Sequence, residues 1–204
     1  DVRKLTKAER ADMARIPRSE KELRREAANP PKLYGETGYT TLERISARPT
    51  LEVNGLYSGF IGEGSKTVLP AKAMAKISMR LVPDQNPEKV EKQLRAYLKA
   101  NAPKTVTWTL KAFGKAPGVL TDPNSPGAKA AATALKTVFG KQPIFRREGG
   151  SVPVVSQIKD VLGVDSVIMG FGLPDDNLHA PNEKQHVPTF YKGIESYVHF
   201  FANL

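Results

Sequence analysis

The chain has 204 residues, 40% of them hydrophobic, a formal net charge of +10 and no cysteine. That length allows one large domain or two small ones with a buried core, and no apolar run nears the roughly 20 residues needed to span a bilayer. Without cysteine there can be no disulfide, thiolate metal site or cysteine nucleophile, which fits a reducing, cytoplasmic setting.

The sequence opens Asp1-Val2-Arg3-Lys4, with neither Met nor an apolar h-region. It shows no secretory signal, and a start at Asp suggests a fragment or a processed product. Its basic residues are densest in the first 25 positions, mixed with Glu20 and Glu22, and scattered elsewhere. A nucleic-acid binder would gather them on one face with interleaved aromatics. The charge reads instead as a solvated surface, or as one balanced by a part of the protein outside this chain.

Two capping boxes, Thr6-Lys7-Ala8-Glu9 and Ser19-Glu20-Lys21-Glu22, start two short charged helices separated by Pro17. Asn29-Pro30-Pro31 ends the second, and the segment through Thr41 reads as a loop with no core of its own. From Leu51, the alternation of Leu51, Val53, Gly55 and Tyr57 predicts a strand, broken by Gly59 to Gly64. A long alternating strand follows from Lys72 to Val82, with Ala73, Ala75, Ile77, Met79 and Leu81 on one face. Period two is the mark of a half-buried antiparallel strand. Asn86-Pro87 supplies an N-cap and first-turn proline for a helix carrying Val90, Leu94 and Leu98. Val106, Trp108 and Leu110 alternate with threonines in a third expected strand.

Pro117, Pro123 and Pro126, with Gly114 and Gly118, mark a domain boundary. Beyond it come an Ala- and Leu-rich helix from about Ala128 to Phe139, stopped at Gly140, and a helix from Ser151 to about Val161, stopped at Gly163. A wholly apolar strand, Val167 to Phe171, and a closing helix with Phe190, Ile194, Tyr197, Val198 and Phe201 complete the chain. Fully apolar strands belong to sheets covered on both faces. The expected fold is therefore an α+β domain, a small antiparallel sheet with helices on one face, followed by the C-terminal part of an α/β domain. The second piece has too few strands for a complete doubly wound sheet.

Chemistry is expected on the loop leaving the apolar strand, Gly172 to Glu183, because open α/β sheets bind ligands beyond the carboxyl ends of their strands. His179 there is a metal ligand, a general base or simply an exposed histidine, and Asp175, Asp176 and Glu183 could orient it, add ligands or serve solubility. His186 and His199 read as structural or surface residues. Gly149-Gly150-Ser151 at a helix start could bind a carboxylate or phosphate on free backbone N–H groups, or could be a plain N-cap after a turn. Arg80 could fork onto a carboxylate or lie on a solvated sheet face. Thr67 offers a hydroxyl near a glycine-rich turn.

Five blocks in order resemble the carnosinase, aminoacylase and glutamate-carboxypeptidase family of co-catalytic metallopeptidases, with the detail favouring the dipeptidase branch. They are Arg48-Pro49-Thr50-Leu51-Glu52-Val53-Asn54-Gly55, Gly62 to Lys72, Ser78-Met79-Arg80-Leu81-Val82-Pro83, Arg147 to Val154, and His179-Ala180-Pro181-Asn182-Glu183. The resemblance implies an α/β metallopeptidase domain holding two divalent ions, zinc or manganese, and an inserted lid that forms a homodimer. It implies a lid over residues 1–116, incomplete on its N-terminal side, and the C-terminal segment of the catalytic domain over 117–204. It makes His179 a metal ligand and substrate contact, assigns Arg80, Gly150 and Ser151 to the substrate carboxylate, and makes Thr67 a lid contact reaching a partner's site.

The resemblance also implies a short peptide or dipeptide substrate with a free carboxylate; the scattered charge and the lack of a long apolar run argue against nucleic acid and membrane as partners. The family's His-x-Asp motif, adjacent Glu-Glu pair and lid histidine have no counterpart, since no histidine precedes position 179. The whole enzyme would hydrolyse peptides through a metal-activated water and a glutamate base. This chain alone is expected to be inactive, with no stably bound metal. The alternative is a non-catalytic dimerisation or peptide-binding module.

Overall fold

The computed structural model describes residues 2–26, 29–149 and 152–204. Its first part is a cluster of three short helices, α1 (Lys7–Ala14), α2 (Glu20–Glu26) and α3 (Thr41–Ala47). The capping box of α1 forms as expected: the Glu9 N–H donates to Thr6 Oγ1 at 3.2 Å, and the Thr6 N–H to Glu9 Oε2 at 2.8 Å. At α2, the Ser19 N–H likewise donates to Glu22 Oε2 at 2.6 Å and the Glu22 N–H to Ser19 Oγ at 3.3 Å. The third helix begins where the expected loop ends, in a stretch for which the sequence pattern predicted no element. Its signal was another capping box, Thr40-Thr41-Leu42-Glu43, whose Thr40 and Glu43 side chains exchange the same two bonds.

This region also has a core of its own, against expectation. Met13, Leu23 and Ala47 are buried together with Glu43 and Ser46. Burial of Glu43 is offset by two Thr40 capping bonds and an ion pair to Arg10 at 2.8 Å. Tyr39 is covered by the guanidinium groups of Arg10 and Arg48, at 5.0 and 4.6 Å from its ring centre.

Strands β1 (Glu52–Ser58) and β2 (Ala73–Ser78) form one antiparallel pair, from Glu52 opposite Ser78 to Ser58 opposite Ala73. The register shifts between Val53 and Gly55, so Asn54 is the extra residue of a bulge and the alternation of faces resets there. The second strand is shorter than its sequence pattern and is exposed along its whole length. Among the described residues nothing covers either face of the pair: Val53, Leu56, Tyr57, Met74 and Ile77 are all open. Helix α4 (Pro87–Asn101) starts as predicted, with the Lys89 N–H donating to Asn86 Oδ1 at 2.8 Å, and half-buries Val90, Leu94 and Leu98. The expected strand at 105–111 is extended chain without a ladder. Among the described residues it has no strand to pair with, and its Leu110 carbonyl accepts from Arg95 instead.

Helices α5 (Pro126–Phe139), α6 (Pro153–Leu162) and α7 (Val187–Ala202) follow. The stops at Gly140 and Gly163 are left-handed, φ 67° and 69°, where a side chain would strain the backbone. The seam between α5 and α7 is made of small residues, with Ala128, Ala130, Ala131, Ala134, Gly193 and Ser196 buried. The expected strand at 167–171 is likewise extended without a ladder, and it runs along this seam. Phe171 stacks on Phe139 and meets Tyr197 edge-on, and a Cβ at Gly193 would lie 3.2 Å from the Phe171 ring. By contrast the large apolar residues of α7, Phe190, Ile194, Val198 and Phe201, are exposed.

The accessible surface is 15593 Å². A compact monomer of this mass would expose about 9,400 Å². Many large apolar residues of β1, β2 and α7 are exposed.

Glu9 is the electrostatic hub. Its carboxylate accepts from Arg3 at 2.8 and 3.1 Å, caps α1, and pairs with Arg147; Arg3 also meets Asp84 at 3.2 Å. The Arg3 hydrogen bonds, followed by the Thr6 N–H and the charges of Arg147 and Arg3, hold its pKa down from 4.5 to about 2. A carboxyl depressed on folding stabilises the native state above its unfolded pKa, and that stabilisation is lost as pH falls from about 4.5 towards 2. Glu9→Gln should therefore cost about 1–2 kcal/mol at pH 7 and progressively less below pH 4.5, read by urea denaturation across pH. In the small-residue seam, Ala134→Leu should destabilise by about 1–3 kcal/mol through overpacking, while the same change at half-buried Ala132 should cost less.

Candidate functional site

The loop between the extended 164–172 segment and α7 carries His179, and it is tied to itself by several hydrogen bonds and an ion pair. The Leu173 N–H donates to Asp176 Oδ2 at 2.6 Å, and the Asp176 N–H returns to the Leu173 carbonyl at 3.1 Å. The Lys184 N–H donates to the Asp176 carbonyl at 2.9 Å, and the Lys184 ammonium pairs with Asp175 at 2.6 Å. The His179 N–H donates to Glu183 Oε2 at 3.3 Å. Asn177, His179 and Asn182 all adopt left-handed φ, between 53° and 61°, a conformation that asparagine and histidine tolerate better than most residues.

The three carboxylates thus hold the loop rather than surround the imidazole. The hydrogen bond from Lys184 lowers the Asp175 pKa, and Asp175 raises that of Lys184. Asp176 is 1% exposed, and its Oδ1 has no hydrogen-bond partner. The His179 side chain stays exposed. His186 contacts Thr189 Oγ1 at 2.8 Å at the start of α7, and His199 lies 4.0 Å from Glu195, structural and surface roles as expected.

Arg80 lies two residues beyond the end of β2. Its N–H donates to Thr50 Oγ1 at 3.2 Å and its carbonyl accepts from the Thr50 N–H at 3.1 Å, which fixes its backbone beside the 48–50 link. Thr67 lies exposed in the long connection between β1 and β2, next to a tight turn closed by the Val68 N–H on the Lys66 carbonyl at 3.0 Å. Gly150 and Ser151 lie outside the described residues. The helix beyond them begins later than its sequence pattern: Val152 is the N-cap of α6, without a side-chain cap, and Pro153 follows it. Gly149 packs so tightly on α3 that a Cβ there would collide with the Ile45 carbonyl. Arg80 and Gly149 therefore flank the same short stretch, residues 45–50.

Among the described residues no three histidines, aspartates or glutamates converge as a metal-binding group. The donors described do not by themselves fit a two-metal centre: the loop offers the exposed His179 imidazole, and its neighbouring carboxylates brace the loop backbone and Lys184. No helix among the described residues is long and apolar enough to cross a membrane.

Residues 7–106 match the model of the M20 peptidase dimerisation domain. The Cys-Gly metallodipeptidase DUG1 of Saccharomyces cerevisiae is 33% identical over 200 residues, covering 96% of this chain and 41% of the relative. The Beta-Ala-His dipeptidase of Mus musculus is 30% identical over 176 residues, 85% of this chain and 36% of the relative. The chain belongs to the M20 peptidase family. Its fold also superposes on solved members. The metallo-carboxypeptidase Sso-CP2 of Sulfolobus solfataricus gives a TM-score of 0.86 at 31% identity, over 100% of this chain and 46% of that one. Human carnosine dipeptidase 1 gives 0.79 at 27%, over 99% and 43%. The chain thus spans about two fifths of the length of the curated relatives it matches. The expected family and fold class hold: a small antiparallel sheet with helices, in a chain matching part of a metallopeptidase.

Sequence reasoning missed two residues that shape this site. Asp176 was one acid among three, although Asp-Asn pairs favour turns in which the side chain binds nearby backbone N–H groups. Glu9 was read only as a cap. Asp176→Ala should leave the Leu173 N–H unpaired and destabilise the loop by about 1–3 kcal/mol. Limited proteolysis should then cut between residues 173 and 184 faster than in the parent, with cleavage elsewhere unchanged.

Proposed function

We propose that this chain is the lid and C-terminal catalytic segment of a metal-dependent dipeptidase or carboxypeptidase acting on short peptides with a free carboxylate. Residues 1–116 form the lid and mediate a homodimer, and residues 117–204 complete the catalytic domain. The observation that carries this reading is the His179 loop, a self-braced turn that presents one imidazole outward without a complete donor set around it. It has the form of a contribution to a larger site. The metal ions, zinc or manganese, would be held mainly by residues that this chain does not contain, with His179 adding one donor.

The chain's own residues then bind and orient. Arg80 forks onto the substrate carboxylate in a charge-assisted pair. Gly150 and Ser151 receive the same carboxylate on backbone N–H and hydroxyl donors, Thr67 reaches the site of the partner subunit, and His179 also touches the substrate. A cytoplasmic location accords with the cysteine-free composition. The relatives' activities on Cys-Gly and β-Ala-His dipeptides make those two substrates the first to assay.

The product of the complete reading frame should hydrolyse one of these dipeptides with Zn²⁺ or Mn²⁺ and lose activity in chelator, while residues 1–204 alone should show none. Turnover by residues 1–204 alone, or none by the complete product with either metal, would overturn the proposal. The absence of a converging donor set among the described residues favours a second reading, a non-catalytic peptide-binding dimer, which predicts chelator-insensitive binding without turnover. Under either reading Arg80→Ala should weaken binding of a peptide carboxylate by about 1.5–3 kcal/mol, measured by calorimetry, and leave the dimer intact.

A further inference from the structure

Asn54-Gly55 is the one Asn-Gly pair in the chain, and the function proposed above makes no use of it. It lies in β1 with Asn54 exposed, at the point where the ladder slips. Val53 faces Ile77 and Gly55 faces Lys76, so Asn54 has no opposite number on β2. A bulge residue is released from the pairing that holds its neighbours, and its backbone departs from the regular pleat. What faces Gly55 is a flexible stem and not a wall: the three atoms nearest to a Cβ built there would all be side-chain carbons of Lys76, at 3.5 to 3.8 Å. The other edge of β1 is unpaired, and a bulge interrupts pairing along that edge too. A partner strand added there would therefore leave Asn54 outside its ladder.

We propose that Asn54-Gly55 is a self-modifying site, at which the Asn54 carboxamide is lost through a cyclic imide. The Gly55 main-chain nitrogen gives its proton to water and attacks Asn54 Cγ. The N–Cγ bond forms, the Cγ–Nδ2 bond breaks, and ammonia leaves with a proton returned from solvent. Water then opens the ring at either carbonyl. Opening at Cγ leaves an ordinary aspartyl residue. Opening at the main-chain carbonyl leaves the chain running through Cγ, with one extra carbon in the strand. The reaction consumes only water. Glycine suits the attacking position because its nitrogen can approach closely where a Cβ would obstruct it. Either product places a new carboxylate on the open sheet, near Glu52 of the same strand.

The other asparagines each lack part of this arrangement. Asn29 and Asn86 precede prolines, which have no N–H to lose. The N–H groups that follow Asn101 and Asn124, those of Ala102 and Ser125, donate to the Leu98 and Asp122 carbonyls at 2.8 and 3.0 Å. Asn203 donates its own amide to the His199 carbonyl at 2.7 Å, and Asn177 and Asn182 precede the bulkier Leu178 and Glu183.

The test incubates the product of the complete reading frame at mildly alkaline pH, beside a synthetic peptide of residues 51–58 as the unfolded reference. Peptide mapping by mass spectrometry follows conversion of amide to acid at every asparagine. Conversion should concentrate at Asn54 and run within about tenfold of the peptide's rate, because a bulge opens at little cost in free energy. Gly55→Ala meets Lys76 only at ordinary contact distance and should slow conversion by about tenfold or more. Slower conversion of the folded protein than that tenfold window allows would show that β1 must unfold first, and would overturn the proposal. An undiminished rate in Gly55→Ala, or conversion at Asn101 or Asn182 equal to that at Asn54, would overturn it as well. The readout is chemical, so it stands apart from the peptidase reading: conversion at Asn54 in a protein without dipeptide turnover would uphold the site and refute only that reading.

Discussion

Surface that this chain cannot cover is the constraint on which the rest of the structure depends. Exposing 15593 Å² where a compact chain of this mass exposes about 9,400 Å² leaves whole apolar faces open. They are not scattered. One is the bare two-stranded sheet, with Leu56 at 81% exposure, together with Leu69 at 92% in the connection beside it. The other is the outer face of α7, with Phe190, Ile194, Val198 and Phe201. Contiguous apolar faces of this size mark contact with other protein. Under the proposed reading each would have a neighbour: a dimer partner for the sheet, and further sheet strands for α7 and the ladderless segment at 167–171.

Cohesion within the chain comes from two different devices. In the C-terminal part it is close approach of backbones: alanines on α5 meet Gly193 and Ser196 on α7, and Phe171 fills the gap. In the N-terminal part it is charge. Glu43 is buried under its own cap and Arg10, and Glu9 is shared among its helix, Arg3 and Arg147. Large side chains carry little of this; the largest fully buried ones are Asp176 and Ser196. Ion pairs that are partly desolvated and jointly satisfied can supply the specificity that a thin core does not.

What could be read from sequence divides along the same line. Helix starts were legible because a capping box or an Asn-Pro start is a local chemical arrangement, and α1, α2 and α4 begin where those residues stand. Helix stops at Gly140 and Gly163 were legible for the same reason. Strands at 105–111 and 167–171 were not realised as ladders, because alternation and apolarity report what a segment can pair with, and pairing needs a neighbour. The half-buried reading of Lys72 to Val82 holds at Met79, Leu81 and Val82 but not over Ala73–Ser78, where no described residue covers the strand. The candidate loop carrying His179 was singled out by its position after an apolar run. The structural use of Asp176 and the reach of Glu9 across the chain depend on tertiary contact and leave no local pattern.

The most direct measurement is the nucleotide sequence upstream of the codon for Asp1. The account predicts an in-frame extension carrying a His-x-Asp motif, an adjacent Glu-Glu pair and apolar strand segments able to flank residues 167–171. A reading frame that opens just before Asp1 would contradict it, leaving the uncovered faces to be explained by self-association of this chain alone.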